Sequence, residues 1–162
     1  MIVTDVDYEV YQWPRTVPIR NGLHTYQTSG LTVVKIRTDE GVTGIGLGRD
    51  IRDSPEVGIA ILNHFKQHVI GEDPFDTEKI WRKMWEPKLV GRRGITTRVI
   101  SGIDLALWDI KGKVANRSVH KLLGGYADKV PVYVAGGYYD CLLYTSDAAD
   151  EGLGVDLGGR RI

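Results

Sequence analysis

Hydrophobic residues in the stretch 99–114 repeat with the 3.6-residue period of a helix on two of its sides. One side carries a stripe of apolar residues made of Val99, Ile103, Ala106, Leu107, Ile110 and Val114. The opposite side carries a second stripe made of Ser101, Leu105, Trp108 and Gly112. Charges occupy only the narrow edges between the stripes, with Asp104 and Lys111 on one edge and Asp109 and Lys113 on the other. Because both apolar sides need cover, the pattern predicts a helix between two packed layers.

Alternation of polar and apolar residues predicts three strands before this helix. Residues 2–13 alternate as in a half-buried strand, with the apolar face made of Ile2, Val6, Tyr8 and Val10 and the polar face made of Asp5, Asp7 and Glu9. Residues 31–38 and 42–47 are β-branched runs around the turn Asp39-Glu40-Gly41, which predicts a hairpin. Residues 14–30 are rich in Pro, Arg, Asn, Gly, His and Thr, so we predict a long loop there, and loops of about 15 residues without their own structure are usually functional or disordered.

Start and stop signals predict three further helical segments. Ser54-Pro55 begins a helix whose apolar stripe is Gly58, Ile59, Leu62, Phe65 and Val69. Asp76 begins a second helix, which Pro87 ends and whose apolar residues are Ile80, Trp81, Met84 and Trp85. Ser118 begins one more short turn that ends at Gly124-Gly125.

The chain changes character after a last predicted strand at residues 130–137. That run is apolar on both faces, which is typical of a strand buried on both sides in a parallel sheet or barrel. Residues 141–162 have no sustained period and are interrupted by four glycines. Our hypothesis is that this tail is a translated vector or adapter sequence joined to a truncated gene; the alternative is a disordered native C-terminus.

Composition excludes several classes of protein. The chain has 162 residues with 21 basic and 21 acidic side chains, so no excess of charge points to nucleic acid or to an anionic membrane. Its single cysteine argues against a disulfide framework and for a reducing compartment. No apolar run approaches the ~20 residues that span a bilayer, and the first ten residues lack the features of a signal peptide. We therefore expect a cytoplasmic protein.

The helix at 99–114 and the residues after it resemble the signature of the enolase superfamily, and more narrowly of the mandelate racemase/muconate lactonizing enzyme group. The residues that carry the resemblance are Asp104, Ala106, Leu107, Trp108, Asp109, Lys111, Gly112, Lys113 and Leu122-Leu123-Gly124-Gly125. One departure is Asn116-Arg117-Ser118, where many members have glycine and then proline. The resemblance implies an α+β fold: an antiparallel three-stranded meander plus a helical bundle, with only the first strand of a truncated TIM-like barrel.

The resemblance also implies a domain organisation and a chemistry. Residues 1–125 would be the capping domain, residues 126–140 the start of the truncated barrel, and residues 141–162 a non-native or disordered tail. The family abstracts a proton α to a carboxylate with a Lys or His base and holds the enolate on Mg²⁺. Its bases and metal ligands lie on later barrel strands. We therefore expect no catalytic or metal-ligating residue in this chain, and no activity from it alone.

The lid is what this chain would supply to such an enzyme, because the family's capping loops map to residues 14–30 and 48–54. The side chains suited to grip a polyhydroxylated acid are Arg20, Asn21, His24, Tyr26 and Arg49. Tyr138, just past the first barrel strand, would lie at the face where barrel sites form. Each lid residue could instead be a solvated loop side chain, and Tyr138 could pack beneath the lid.

The polar lid favours an acid-sugar dehydratase. The alternatives are a racemase or cycloisomerase of the same group, or a non-catalytic α+β binding module. The expected partners are a small acid-sugar carboxylate, the missing barrel domain and further copies in a homo-oligomer, with neither nucleic acid nor membrane.

Three other motifs have structural interpretations. The glycines of Gly44-Ile45-Gly46-Leu47-Gly48 lack the spacing of a phosphate-binding loop and predict a close backbone approach. His64 and His68 have the i, i+4 spacing of metal ligands, but they lie opposite the apolar stripe of their helix, so we expect a solvated face. We interpret Asp104 as a buried helix acid paired with Lys111 or with backbone.

Overall fold

The computed structural model describes residues 1–20, 23–48, 54–86 and 94–132. Its internal contacts divide the chain into two units. The larger unit consists of Met1–Trp13 and Gly30–Asp128, and the smaller one consists of Pro14–Ser29 and Lys129–Ile162. Asn21, Arg49 and Tyr138 fall outside the described residues, as does the predicted tail.

Three strands form one antiparallel sheet in the order β1-β2-β3. They are β1 (Val3–Arg20), β2 (Thr25–Thr38) and β3 (Thr43–Gly48). In the β2–β3 hairpin, Val34 lies opposite Gly46 and Ile36 lies opposite Gly44. The turn between these strands is the predicted one, with Gly41 at a φ of 79° in the left-handed region that favours glycine. The sheet and the helices that follow confirm the predicted α+β meander and helical bundle.

The first strand differs from its predicted alternation at its start. Val3 and Val6 are buried, whereas Ile2, which we had placed on the apolar face, is 41% exposed. The reason is the pairing of the first residues: the Ile2 amide donates to Asp39 Oδ1, and the Val3 amide donates to the carbonyl of Glu72. The predicted polar face is confirmed farther along.

Ion pairs line that polar face of the sheet. Arg37 on β2 bridges Asp5 and Asp7 on β1, and Lys35 Nζ lies 2.7 Å from Glu9 Oε1. Cross-strand pairs of opposite charge stabilise neighbouring strands.

The predicted loop at residues 14–30 is wrong for most of its length, because β1 continues to Arg20 and β2 begins at Thr25. Arg15 Nε donates to the carbonyl of Thr28 across this ribbon at 3.1 Å. Pro14 and Pro18 suggested a loop, but β1 is an edge strand, where a residue without an amide hydrogen is tolerated.

Four described helices follow the sheet; three of them begin at the predicted signals, whereas the long helix begins at Ile95, four residues before its predicted start. They are α1 (Pro55–Val69), α2 (Thr77–Trp85), α3 (Ile95–Ala115) and α4 (Val119–Leu122). The N-cap residues of α1, α2 and α4 are Ser54, Asp76 and Ser118, as predicted. Of these three, only Ser118 accepts a capping hydrogen bond with its side chain, from the Lys121 amide. Among the described residues, no helix is long and apolar enough to cross a membrane.

The long helix α3 buries one of its two apolar stripes. The residues of the first stripe from Val99 to Ile110 are at most 1% exposed and pack with the buried residues Val34, Ile36, Leu62, Phe65, Ile80 and Met84. Val114, at the end of that stripe, is 44% exposed. On the second stripe Leu105 is 48% exposed and Trp108 is half-buried. Within the described chain, α3 therefore has one of the two layers that its pattern requires.

The predicted strand at 130–137 is described only at its first three residues. Those residues do not belong to a strand, and Val130 and Val132 are 70% and 76% exposed rather than buried. They are not paired with any strand of the described sheet.

Candidate functional site

The contact between β3 and α3 fixes one end of the candidate site. A Cβ atom on Gly44 would lie 2.1 Å from the carbonyl oxygen of Ala106, and one on Gly46 would lie 2.0 Å from the carbonyl oxygen of Gly102. Real Cβ atoms do not approach backbone so closely, so glycine is required at both positions. The close backbone approach predicted from the glycine run is confirmed.

Charged side chains of α3 also hold β3 along its outer edge. Asp109 Oδ2 accepts a hydrogen bond from the Ile45 amide at 2.8 Å, and Lys113 Nζ donates to the Thr43 carbonyl at 2.7 Å. Asp109 and Lys113, four residues apart on one edge of α3, form an ion pair at 2.7 Å. Because an edge strand leaves backbone groups unpaired, these bonds satisfy groups that would otherwise face solvent. They fix the strand from which residues 49–53 depart.

A cleft of about 600 Å³ lies between the end of β3 and the start of α3. Its lining residues are Leu47, Gly48, Gly94, Thr97, Arg98 and Ser101. The volume is within the range of small-molecule sites. One guanidinium group and two hydroxyl groups give the cleft donors suited to a hydroxylated carboxylate.

The polar residues of this cleft were missed from the sequence. Thr97 and Arg98 precede the predicted helix and were not among the candidate site residues, whereas Ser101 had been placed on the second apolar stripe. A signal was present, because Ser101 places a hydroxyl group in a stripe that is otherwise apolar or small.

Three of the six predicted substrate-binding residues lie in the β1–β2 ribbon of the smaller unit. Arg20 is exposed at the end of β1. His24 and Tyr26 come together, with their ring centroids 6.1 Å apart and the rings inclined by 52°. The positions of Asn21, Arg49 and Tyr138 lie outside the described residues, so their lid roles stay predictions.

Two histidines of α1 are less solvated than we expected. His64 and His68 are both partly buried, and the His64 ring lies 5.5 Å from the Phe65 ring, centroid to centroid. The prediction of a solvated face is therefore wrong, because packing covers part of this side of α1. Burial lowers the pKa of His68, and the neighbouring His64 and Lys83 lower it further.

Asp104 is half-buried, as its place between two apolar stripes predicted. Burial raises the pKa of its carboxyl group, Glu78 raises it further, and Lys111 opposes both effects. Lys111 does not form the expected ion pair with Asp104 within the described residues. Its ammonium group donates to Thr77 Oγ1 at 2.9 Å and lies 4.6 Å from the centroid of the Trp108 ring, because it extends toward α2.

The described residues contain no group of three or more His, Cys, Asp or Glu side chains arranged to hold a metal ion. The donor set that Mg²⁺ prefers, several carboxylate or carbonyl oxygens around one point, is therefore not found in this part of the chain. The polar side chains that line the cleft are hydrogen-bond donors, and one of them is positively charged.

Comparison with known proteins identifies similar domains. The sequence profile of the mandelate racemase / muconate lactonizing enzyme N-terminal domain matches residues 4–124. Arabinonate dehydratase of Saccharolobus solfataricus is 41% identical over 110 residues, which are 67% of this chain and 30% of that protein. D-galactarolactone cycloisomerase of Agrobacterium fabrum is 31% identical over 154 residues, which are 93% of this chain and 40% of that protein.

Solved structures of the superfamily share the fold. L-talarate dehydratase from Polaromonas sp. JS666, solved as a complex with Mg and L-glucarate, superposes with a TM-score of 0.77 at 30% identity and covers 93% of this chain and 43% of that one. The chain thus spans less than half the length of these relatives. The match over residues 4–124 shows that the chain belongs to the mandelate racemase/muconate lactonizing enzyme family of the enolase superfamily, through its N-terminal domain.

Proposed function

We propose that this chain is the capping part of a magnesium-dependent enzyme that abstracts a proton α to the carboxylate of an acid sugar and eliminates water. The observation that carries the proposal is the 41% identity to an arabinonate dehydratase over the same domain. Dehydration needs a hydroxyl group on the carbon next to the acidic one, and aldonates and aldarates have that arrangement.

The chain's own contribution would be to bind the substrate and to exclude water. Arg98 is suited to bind the substrate carboxylate in a bidentate manner, and Thr97 and Ser101 are suited to its hydroxyl groups. Arg20, His24 and Tyr26 are the described lid candidates, and Asn21, Arg49 and Tyr138 complete the proposed set. Mg²⁺ would stabilise the negative charge of the enolate, and we assign it no ligand among the described residues.

The proposal includes a domain organisation. Residues 1–125 form the cap, residues 126–140 begin a barrel, and residues 141–162 are non-native or disordered. The exposed Leu105 on α3 supports this domain organisation, because an exposed apolar stripe could pack against the missing barrel. Without a barrel the chain would be inactive. The intact enzyme would be a cytoplasmic homo-oligomer.

Sequencing the source DNA across the codon for Asp140 tests the proposed origin of residues 141–162. Uninterrupted coding sequence through Ile162 would contradict a non-native origin.

A cycloisomerase of the same group is the second candidate. The galactarolactone cycloisomerase aligns with 93% of this chain, more than the arabinonate dehydratase does, although at lower identity. Both reactions would begin by breaking a carbon–hydrogen bond next to a carboxylate, so the sequence of the cap alone does not distinguish a dehydratase from a cycloisomerase.

A chimera tests the proposed role of the cap. Residues 1–125 would replace the matching domain of the Saccharolobus arabinonate dehydratase, and turnover of arabinonate, galactarate and talarate would be measured with Mg²⁺. We expect turnover of at least one acid sugar. Arg98→Ala should raise KM at least about tenfold, because it removes a charge-assisted bond to the carboxylate.

Arg117→Ala is the matched control, because Arg117 lies at the other end of α3, away from the cleft. It should leave KM unchanged. A folded chimera that binds acid sugars without turnover would favour the binding-module alternative. Equal effects of the two arginine substitutions would contradict the assignment of Arg98.

A further inference from the structure

Two histidines on α1 stand together on one side of the helix. His64 and His68 are four residues apart, and their ring centroids are 5.9 Å apart with the rings at 79° to each other. When one tetrahedral metal ion is bound through a nitrogen of each ring, the centroids lie about 5 Å apart, since metal–nitrogen bonds are ~2.0–2.1 Å long. The observed separation thus exceeds that of a chelated pair by about 1 Å.

One ring nitrogen of the pair is available for a ligand. His64 Nε2 is buried and has no hydrogen-bond partner within the described part of the chain. A buried polar atom without a partner is uncommon and calls for a physical explanation, such as an ion or water that would satisfy it. The partly buried His68 ring lies beside it, and a neutral imidazole is the form that binds metal.

The surrounding charges do not oppose a cation strongly. Lys83 on α2 is the cation that acts on His68, and its ammonium group is paired with the carboxylate of Glu72. A groove of about 420 Å³ runs beside His64 along the outer side of α1, with Val57, Ala60 and Ile61 among its lining residues. The groove gives an ion a route to His64 from solvent.

We propose that His64 and His68 form a two-ligand site for a borderline divalent transition-metal ion such as Zn²⁺, with water or an external ligand in the remaining positions. Imidazole nitrogens suit Zn²⁺, Ni²⁺ and Cu²⁺, whereas Mg²⁺ prefers oxygen. The site is thus different in chemistry from any magnesium site of the intact enzyme. The proposal does not depend on the proposed function.

Zn²⁺ binding to the untagged full chain tests the site, by calorimetric titration with ZnCl₂ and by thermal unfolding with and without the metal. We expect one Zn²⁺ per chain and a Tm that rises by about 5 °C when free Zn²⁺ is near 100 times its dissociation constant. His64→Gln and His68→Gln should each weaken the binding at least about tenfold, because one ligand cannot chelate.

The other two histidines of the chain supply matched controls. His24→Gln and His120→Gln should leave the stoichiometry, the affinity and the Tm shift as in the parent protein. If a His64 substitution alters the fold, its metal-free Tm changes, so only the metal-dependent shift is compared. The proposal is overturned if the parent chain binds no Zn²⁺ or if the control substitutions weaken binding as much as those on α1. MgCl₂ should produce no shift.

Discussion

Replacing Gly46 by alanine tests the backbone contact that organises the fold. The added Cβ would lie 2.0 Å from the Gly102 carbonyl oxygen and 2.7 Å from the Ala106 amide nitrogen. Both neighbours are backbone atoms of α3, so no side chain can rotate to relieve the clash. The strand and the helix would have to separate by about 1 Å, and a gap of that size forfeits about a quarter to a half of each dispersion contact across it.

The expected loss in the free energy of unfolding follows from the position of this contact in the core. Overpacking typically costs about 1–3 kcal/mol, and a clash with two backbone atoms belongs at or above the upper end of that range. We expect Gly46→Ala to lower the free energy of unfolding by about 3 kcal/mol and Tm by roughly 10 °C. Urea unfolding followed by circular dichroism measures the first, and calorimetry measures the second.

Gly112→Ala is the matched control for this prediction. Its Cβ would lie 3.0 Å from the Arg117 carbonyl oxygen and 3.6 Å from Val119 Cγ2, at the C-terminal end of α3. Since alanine is favoured over glycine in a helix by about 1 kcal/mol, the control should stay within about 1 kcal/mol of the parent protein. A stability of Gly46→Ala within about 0.5 kcal/mol of the parent would refute the argument.

Three further predictions concern α3 and α1. Asp109→Ala should cost about 1 kcal/mol in urea unfolding and speed hydrogen exchange at the Ile45 amide, because it removes that amide's acceptor; unchanged exchange would contradict the edge contact. Leu107→Ala should cost about 2–5 kcal/mol at a buried site, whereas Leu105→Ser, on the exposed stripe, should change stability by less than about 0.5 kcal/mol in the same assay; equal losses would mean that both stripes are covered. Because the pKa of His68 is lowered in the folded state, its contribution is present above the unfolded value of about 6.5 and is lost as the pH falls through the folded pKa; the stability lost between pH 7.5 and 5 should shrink in His68→Gln, and an unaltered pH profile would contradict this.

Sequence reasoning succeeded where one local pattern decides the structure. The stripe from Val99 to Ile110 has helical period and strong apolar character, so it predicted both the helix and its buried side. Ser118 and the residues of the β2–β3 turn are also local signals, and they predicted a cap and a hairpin correctly. The exposed Leu105 agrees with the prediction that the second stripe needs another layer.

Other features depend on neighbours that are distant in the sequence. Pro14 and Pro18 looked like strand breakers, and only the position of β1 at the sheet edge makes them compatible with a strand. His64 lies opposite the main stripe of α1, yet packing with neighbouring rings covers it, which a helical period does not report. The residues of the cleft come from the end of β3 and the start of α3, about 50 positions apart, so no local motif joins them.

Turnover of acid sugars by the full-length protein that we propose the source gene encodes would show whether this chain is the cap of a dehydratase. The protein would be incubated in D₂O with MgCl₂ and each of arabinonate, galactarate and talarate, and the substrate would be followed by NMR. We expect the full-length protein to remove the proton α to the carboxylate and to eliminate water from at least one of these substrates. We also expect no reaction with the 162-residue chain. Two results would contradict the proposed function. One is a full-length protein that leaves every α-proton of the substrates in place, and the other is turnover by the 162-residue chain alone.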